Sequence, residues 1–231
     1  MAAAYGDSIG AVEGLFRTIA WAGMLAVAVL LPAQRADAEP STKPLKVVML
    51  GDSLTAGYGL PGPDAFPVKL QAALQAEGIS AELINAGVSG DTASGGLERL
   101  DWSVPQDADA VVVELGANDA LRGLDPKVTR KALTGILEKL KARNLPVLLT
   151  GMMAPPNYGA DYAAQFNAIY PDLAKQFGVP LYPFFLDGVA TIASLNQADG
   201  MHPNAKGVDA VVKSILPTVS AFLRDVAAKR G

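Results

Sequence analysis

The chain has 231 residues, half of them apolar, and no cysteine. That length builds one domain with a sizeable core and is short for two, and the missing cysteines exclude disulfides and thiolate metal sites. The net charge of -4 argues against a nucleic-acid partner, whose phosphates need a basic surface, and a single histidine, His202, excludes a multi-histidine zinc site within one chain.

In chain order, residues 1–38 come first and read as a secretory signal peptide. Arg17 precedes a 14-residue apolar run, Thr18 to Leu31, and small residues at Ala36 and Ala38 frame a cleavage site before Glu39. The run is short for a membrane span, which takes about 20 residues; an uncleaved anchor is the competing reading. The stretch before the run carries Asp7 and Glu13, which leaves open a true start downstream of Met1. Residues 39–44, with two prolines, form a short lead-in to a domain at 45–231. No later stretch is apolar enough to span a bilayer, so the expectation is a periplasmic or secreted protein with no stable membrane insertion after cleavage.

Beyond the lead-in, short apolar runs alternate with longer helical patterns. "LKVVML" (45–50), "AELINA" (81–86), "DAVVVELG" (109–116), "PVLLTGM" (146–152) and "PLYPFF" (180–185) read as strands, the last irregular because of Pro183. Helices are expected over 66–78, 94–104, 126–144, 160–178 (disturbed at Pro171) and 205–229. Strands of this length separated by helices mean a parallel sheet covered on both faces. The class is α/β: a three-layer α/β/α sandwich with five parallel strands in flavodoxin-like order 2-1-3-4-5.

In such sheets ligands bind beyond the carboxyl ends of the strands. The segments that follow the strands are "GDS" at Gly51, "GVSGDT" at Gly87, "GANDALRG" at Gly116, "APPNYG" at Ala154 and, a little later, "ADGMHPN" at Ala198. Polar, chemistry-bearing residues therefore collect on one edge. A serine hydroxyl needs a base to take its proton, so a nucleophilic Ser53 would depend on His202. Asp199, three residues earlier in a turn with Gly200, can orient that imidazole. Ser53 could equally be a helix N-cap, and Asp199 a solvated turn residue. Backbone N–H groups at Ser53 and Gly90, with the Asn118 amide, could bind an oxyanion; turn and capping roles are the alternatives. Asp52 reads as support for the elbow or as a plain turn aspartate. Leu121, Leu124, Pro155, Pro156 and Tyr158 could line an acyl groove or simply close the core. A second "GDSIG" at Gly6–Gly10 has the G-x-S-x-G letters but no strand before it, so Ser8 is set aside.

The four stretches "GDSLTAGYG", "NAGVSGDT", "GAND" and "DGMHPN" together resemble the four sequence blocks of the SGNH (GDSL) hydrolases. Ser53 falls on that family's nucleophile, Gly90 and Asn118 on its other oxyanion donors, and Asp199 and His202 on its acid and base. "GANDALRG" and "PPNYG" are more narrowly similar to the bacterial periplasmic thioesterase I/lysophospholipase/arylesterase branch. The resemblance implies a cofactor-free, metal-free hydrolase acting on small acyl esters, thioesters or lipids, in which Ala120–Leu124 moves on acyl binding. A carbohydrate O-deacetylase and a non-catalytic secreted binding module on the same fold are the rival expectations, and a peptidase a weaker one.

Overall fold

The computed structural model describes residues 43–230. The expected signal segment, Ser8 and most of the lead-in lie outside the described residues. Five strands form one parallel sheet: β1 (Leu45–Gly51), β2 (Ala81–Gly87), β3 (Ala110–Glu114), β4 (Val147–Thr150) and β5 (Leu181–Tyr182), in the order β2-β1-β3-β4-β5. The expected order holds. Val47 to Leu50, Val111 to Val113 and Leu148 to Leu149 are almost wholly enclosed. These central strands read as unbroken apolar runs because helices cover both of their faces.

The connections are helical: α1 (Ser53–Ala56), α2 (Phe66–Ala76), α3 (Ala93–Glu98), α4 (Leu100–Ser103), α5 (Ala117–Leu121), α6 (Pro126–Ala142), α7 (Ala160–Asn167), α8 (Ile169–Phe177) and α9 (Ala205–Arg230). Helix α2 packs on α9, and α6 packs on α3, α7 and α8. Helix α6 buries Thr129, Ala132, Leu133, Ile136, Leu137 and Leu140, the three-and-four spacing of one helix face. Its start is set by Asp125, whose carboxylate accepts the Lys127 N–H at 2.9 Å, with Pro126 at the first helical position. Helix α9 tolerates Pro217 because that position lies on the exposed face, where water can serve the freed carbonyl.

Three expected elements differ in outline. The single helix over 94–104 is two, α3 and α4, which meet at Arg99, whose side chain turns inward. The helix over 160–178 also divides, at Ala168, with Pro171 in the first turn of α8. One continuous helix would drive the Pro171 ring against the Asn167 carbonyl, whereas a new first turn needs no N–H there. The fifth strand has two residues rather than six. Pro183 offers no N–H, so the chain leaves the sheet, and Phe185 N–H returns to the Gly151 carbonyl at 2.9 Å. Helix α5 was not anticipated.

Parallel pairing aligns the carboxyl ends of the three adjacent strands. Gly51 of β1 stands opposite Gly87 of β2 on one side and Glu114 of β3 on the other. The loops that carry Ser53, Gly90 and Asn118 begin from this line. Among the described residues no helix is long and apolar enough to cross a membrane. A cavity of about 790 Å³ lies at the other edge of the sheet, where Pro146 and Pro180 lead into β4 and β5.

Candidate active site

The turn from β1 into α1 is built by Asp52. Its Oδ1 accepts the Leu54 N–H at 3.0 Å, so Asp52 is the N-cap of α1 and Ser53 its first helical residue. The capping role considered for Ser53 belongs to its neighbour. Asp52 is completely enclosed.

Ser53 Oγ lies 2.9 Å from His202 Nε2. His202 Nδ1 lies 2.7 Å from Asp199 Oδ2. An ionised carboxylate only accepts, so the Asp199 contact places the imidazole proton on Nδ1 and leaves Nε2 free to accept from Ser53. The other oxygen of Asp199 accepts the N–H groups of Met201 and His202 at 2.9 and 3.0 Å. The backbone N–H of His202, its imidazole and the Met201 N–H together pull the Asp199 carboxyl down to about 2. The loop is braced as a unit. Asn196 and Pro203 pair across it, Gln197 N–H donates to the His202 carbonyl at 2.7 Å, and the Asn204 carboxamide oxygen accepts two N–H groups at the start of α9. The ring of Tyr58 packs on His202, with centroids 4.7 Å apart.

Asn118, in α5, bridges two loops. Its Nδ2 donates to Asp52 Oδ2 at 3.2 Å and to the Asp91 carbonyl at 2.9 Å. Asp52 neighbours Ser53 and Asp91 neighbours Gly90, so the three expected oxyanion donors share one corner. Neither the Ser53 nor the Gly90 N–H has an acceptor among the described residues. Gly90 has φ +83°, and this backbone is what calls for glycine. A Cβ there would meet only the Arg122 guanidinium, at 3.7 Å.

The five positions expected to line an acyl groove divide. Leu121, Pro156 and Tyr158 are exposed, and the Tyr158 hydroxyl donates to the Leu121 carbonyl at 2.7 Å. Leu124 and Pro155 are partly buried, and the Tyr162 hydroxyl holds the Leu124 carbonyl at 2.9 Å. The segment from Ala120 to Leu124 is thus held by two tyrosines. Arg122 ties it to the Gly90 carbonyl at 2.7 Å.

Sequence reasoning missed several buried polar groups. Arg99 is almost wholly enclosed and donates to Asp91 Oδ2 (2.6 Å), Ser103 Oγ (3.0 Å) and the carbonyls of Ala86 (2.8 Å) and Gly51 (2.8 Å). It pins the ends of β1 and β2 to the loop that carries Gly90. Glu114, the last residue of β3, is buried beneath the elbow. Burial and the neighbouring Asp52 push its carboxyl well above the usual carboxylate range. Burial likewise raises Asp52 to about 6, against the Leu54 N–H and the Asn118 amide, which favour its ionised form. The available signal was a charge inside an apolar strand pattern, "VVVELG". Among the described residues no three histidine, aspartate or glutamate side chains cluster as a metal would require.

Residues 49–210 match the GDSL-like lipase/acylhydrolase family. The chain is 36% identical to esterase TesA of Pseudomonas aeruginosa over 208 residues, which is 90% of this chain and 100% of that protein. It is 41% identical to thioesterase 1/protease 1/lysophospholipase L1 of Escherichia coli over 179 residues, 75% of this chain and 85% of that one. Among solved structures it is similar to AlinE4, an SGNH-hydrolase family esterase, with a TM-score of 0.66 and 47% identity over 78% of this chain and 96% of that one.

Proposed function

Because the chain belongs to the GDSL-like lipase/acylhydrolase family, we propose that it is a serine acyl hydrolase in which Ser53 is the nucleophile, His202 the general base and Asp199 the orienting acid. The observation that carries the assignment is the relay from Ser53 Oγ to His202 Nε2 at 2.9 Å and from His202 Nδ1 to Asp199 at 2.7 Å. His202 takes the Ser53 proton as Oγ attacks an acyl carbonyl. The resulting oxyanion is held by the Ser53 and Gly90 N–H groups and by Asn118. Both Asn118 amide hydrogens are already engaged, so one of them is shared with the oxyanion as it forms. His202 then protonates the departing alcohol or thiol, and activates a water that cleaves the acyl-enzyme.

Substrates of this reading are carboxylic esters, with acyl thioesters and lysophospholipids in the same range. The names of the relatives, esterase and thioesterase 1/lysophospholipase L1, favour acyl hydrolysis over the O-deacetylase and the non-catalytic module. Leu121 and Tyr158, exposed beside the oxyanion corner, are suited to an acyl chain. The apolar run before Ala36 and Ala38 supports export to the periplasm or beyond, with the hydrolase domain beginning at Leu45. The deciding experiment is Ser53→Ala assayed on a nitrophenyl short-chain ester, with far-UV circular dichroism as the fold control. Activity is expected to vanish from a folded protein; turnover near wild type would overturn the assignment.

A further inference from the structure

Between the sheet and the elbow sits an acidic group that the hydrolytic steps above do not use. Glu114 Oε2 accepts the Thr55 hydroxyl at 2.8 Å and the Asp52 N–H at 3.3 Å. The two donors bracket Ser53 in the chain. Glu114 stands in register opposite Gly51, and a Cβ at Gly51 would run into both the Thr55 side chain and the Glu114 carboxyl. Glycine before the turn is therefore the space in which this clamp closes. The second oxygen, Oε1, is fully buried and has no partner among the described residues.

We propose that Glu114 is a positioning residue for the nucleophile, a neutral carboxylic acid that fixes the Asp52–Thr55 backbone and so sets the direction of Ser53 Oγ. The inference rests on the reading of Ser53 as the nucleophile. An ionised Glu114 would carry charge on a bare, buried oxygen; in the neutral acid Oε1 takes the proton, and an unpaired buried hydroxyl costs far less than an unpaired buried charge. The Thr55 hydroxyl and the Asp52 N–H favour the ionised form, but burial and the neighbouring Asp52 carboxyl outweigh them. Asp52 approaches from the turn, and the Tyr170 phenol is near enough from α8 for Glu114 to influence it. The Arg99 guanidinium, on the far side of Gly51, spends its donors on Asp91, Ser103 and two carbonyls. The raised carboxyl of Glu114 agrees with this arrangement.

The test compares Glu114→Ala and Glu114→Gln in the full chain. Glutamine has the shape and neutrality of the protonated acid and keeps an acceptor for both donors. The alanine variant is expected to lose on the order of 30-fold in kcat with KM little changed, because a freed turn misaims a nucleophile that still binds substrate. The glutamine variant is expected to stay within about threefold of wild type. Its urea midpoint should gain on wild type as pH rises from 5 to 8, since only wild type is then pressed to ionise in a buried site. An alanine variant with wild-type kcat, a glutamine variant as impaired as alanine, or a midpoint difference that does not change with pH each overturns the proposal. If Glu114→Ala does not fold, Thr55→Val removes one donor without opening a cavity; it should lower kcat by about fivefold at constant KM, and an unchanged kcat would be decisive against the clamp. Labelling by a fluorophosphonate separates this idea from its premise. A wild-type Ser53 that takes no label defeats the catalytic reading itself. A wild-type Ser53 that labels no faster than in Glu114→Ala defeats only the role of Glu114.

Discussion

Asp52 accepts the Asn118 amide at 3.2 Å on the carboxyl oxygen that its own helix cap leaves free. One buried carboxyl thus starts the helix of Ser53 and holds the Asn118 amide from another strand end. It does so at an energetic cost, because burial raises it from the usual 3.8 to about 6.

That cost has a definite pH signature. Between about pH 4 and 6 the folded chain holds a proton on Asp52 that the unfolded chain has released, so stability falls as pH rises through that window. The full effect, reached above about pH 6, is about 3 kcal/mol. Asp52→Asn cannot ionise and should remove this part of the slope. Urea midpoints at pH 4 to 7 measure it; equal slopes in the two proteins would refute the buried, proton-holding Asp52.

Asn118→Ala should lower kcat/KM by about 3 kcal/mol of transition-state stabilisation, the loss expected when one oxyanion donor is removed. Steady-state kinetics on a nitrophenyl ester give the figure directly. A loss below about threefold would remove Asn118 from the oxyanion hole.

Asp199→Asn keeps the size of the side chain while no longer fixing the His202 proton on Nδ1. The expected loss in kcat is on the order of 10³- to 10⁴-fold. Retained activity would mean that the imidazole is oriented by the backbone of its loop alone.

Tyr158→Phe removes only the hydroxyl bonded to the Leu121 carbonyl. If the Ala120–Leu124 segment shifts to admit an acyl chain, that shift becomes easier. KM for an octanoyl ester should then fall by a few fold while KM for an acetyl ester stays put, a change worth under about 1 kcal/mol. Equal changes for both esters would show that the tyrosine does not govern the segment.

Arg99→Lys replaces a fork of donors by a single ammonium, which cannot serve Asp91 and the Gly51 and Ala86 carbonyls together. A loss of about 2 to 3 kcal/mol is expected from the buried acceptors left unmet. Chemical denaturation reads this loss, and a variant of wild-type stability would contradict the pinning role.

The strand order and the meeting of Ser53, His202 and Asp199 were legible in the chain for one reason. Unbroken apolar strands dictate a covered parallel sheet, and such a sheet gathers its strand-end loops on one edge. Local choices were less legible. Asp52 and Ser53 are both good caps, and only the backbone of the turn decides between them. The break at Ala168 precedes its proline, because the ring excludes the carbonyl four residues back. The contribution of β5 was overestimated, since its apolar letters continue past the proline that ends its pairing. Glu114 and Arg99 were missed altogether. Their meaning lies in partners from other strands, which neither periodicity nor spacing reveals.

Ser53 follows the first strand and His202 immediately precedes the last helix, so their hydrogen bond joins groups 149 residues apart. The final helix is seated against α2, the first long helix after the elbow. Ser53 therefore has no imidazole beside it until the end of the chain has docked on its beginning. On the reading proposed above, a nascent, truncated or still extended polypeptide carries the serine but not the reactivity. Hydrolysis is in this sense a report that folding is complete, and acyl esters met by the chain before that moment are safe from it.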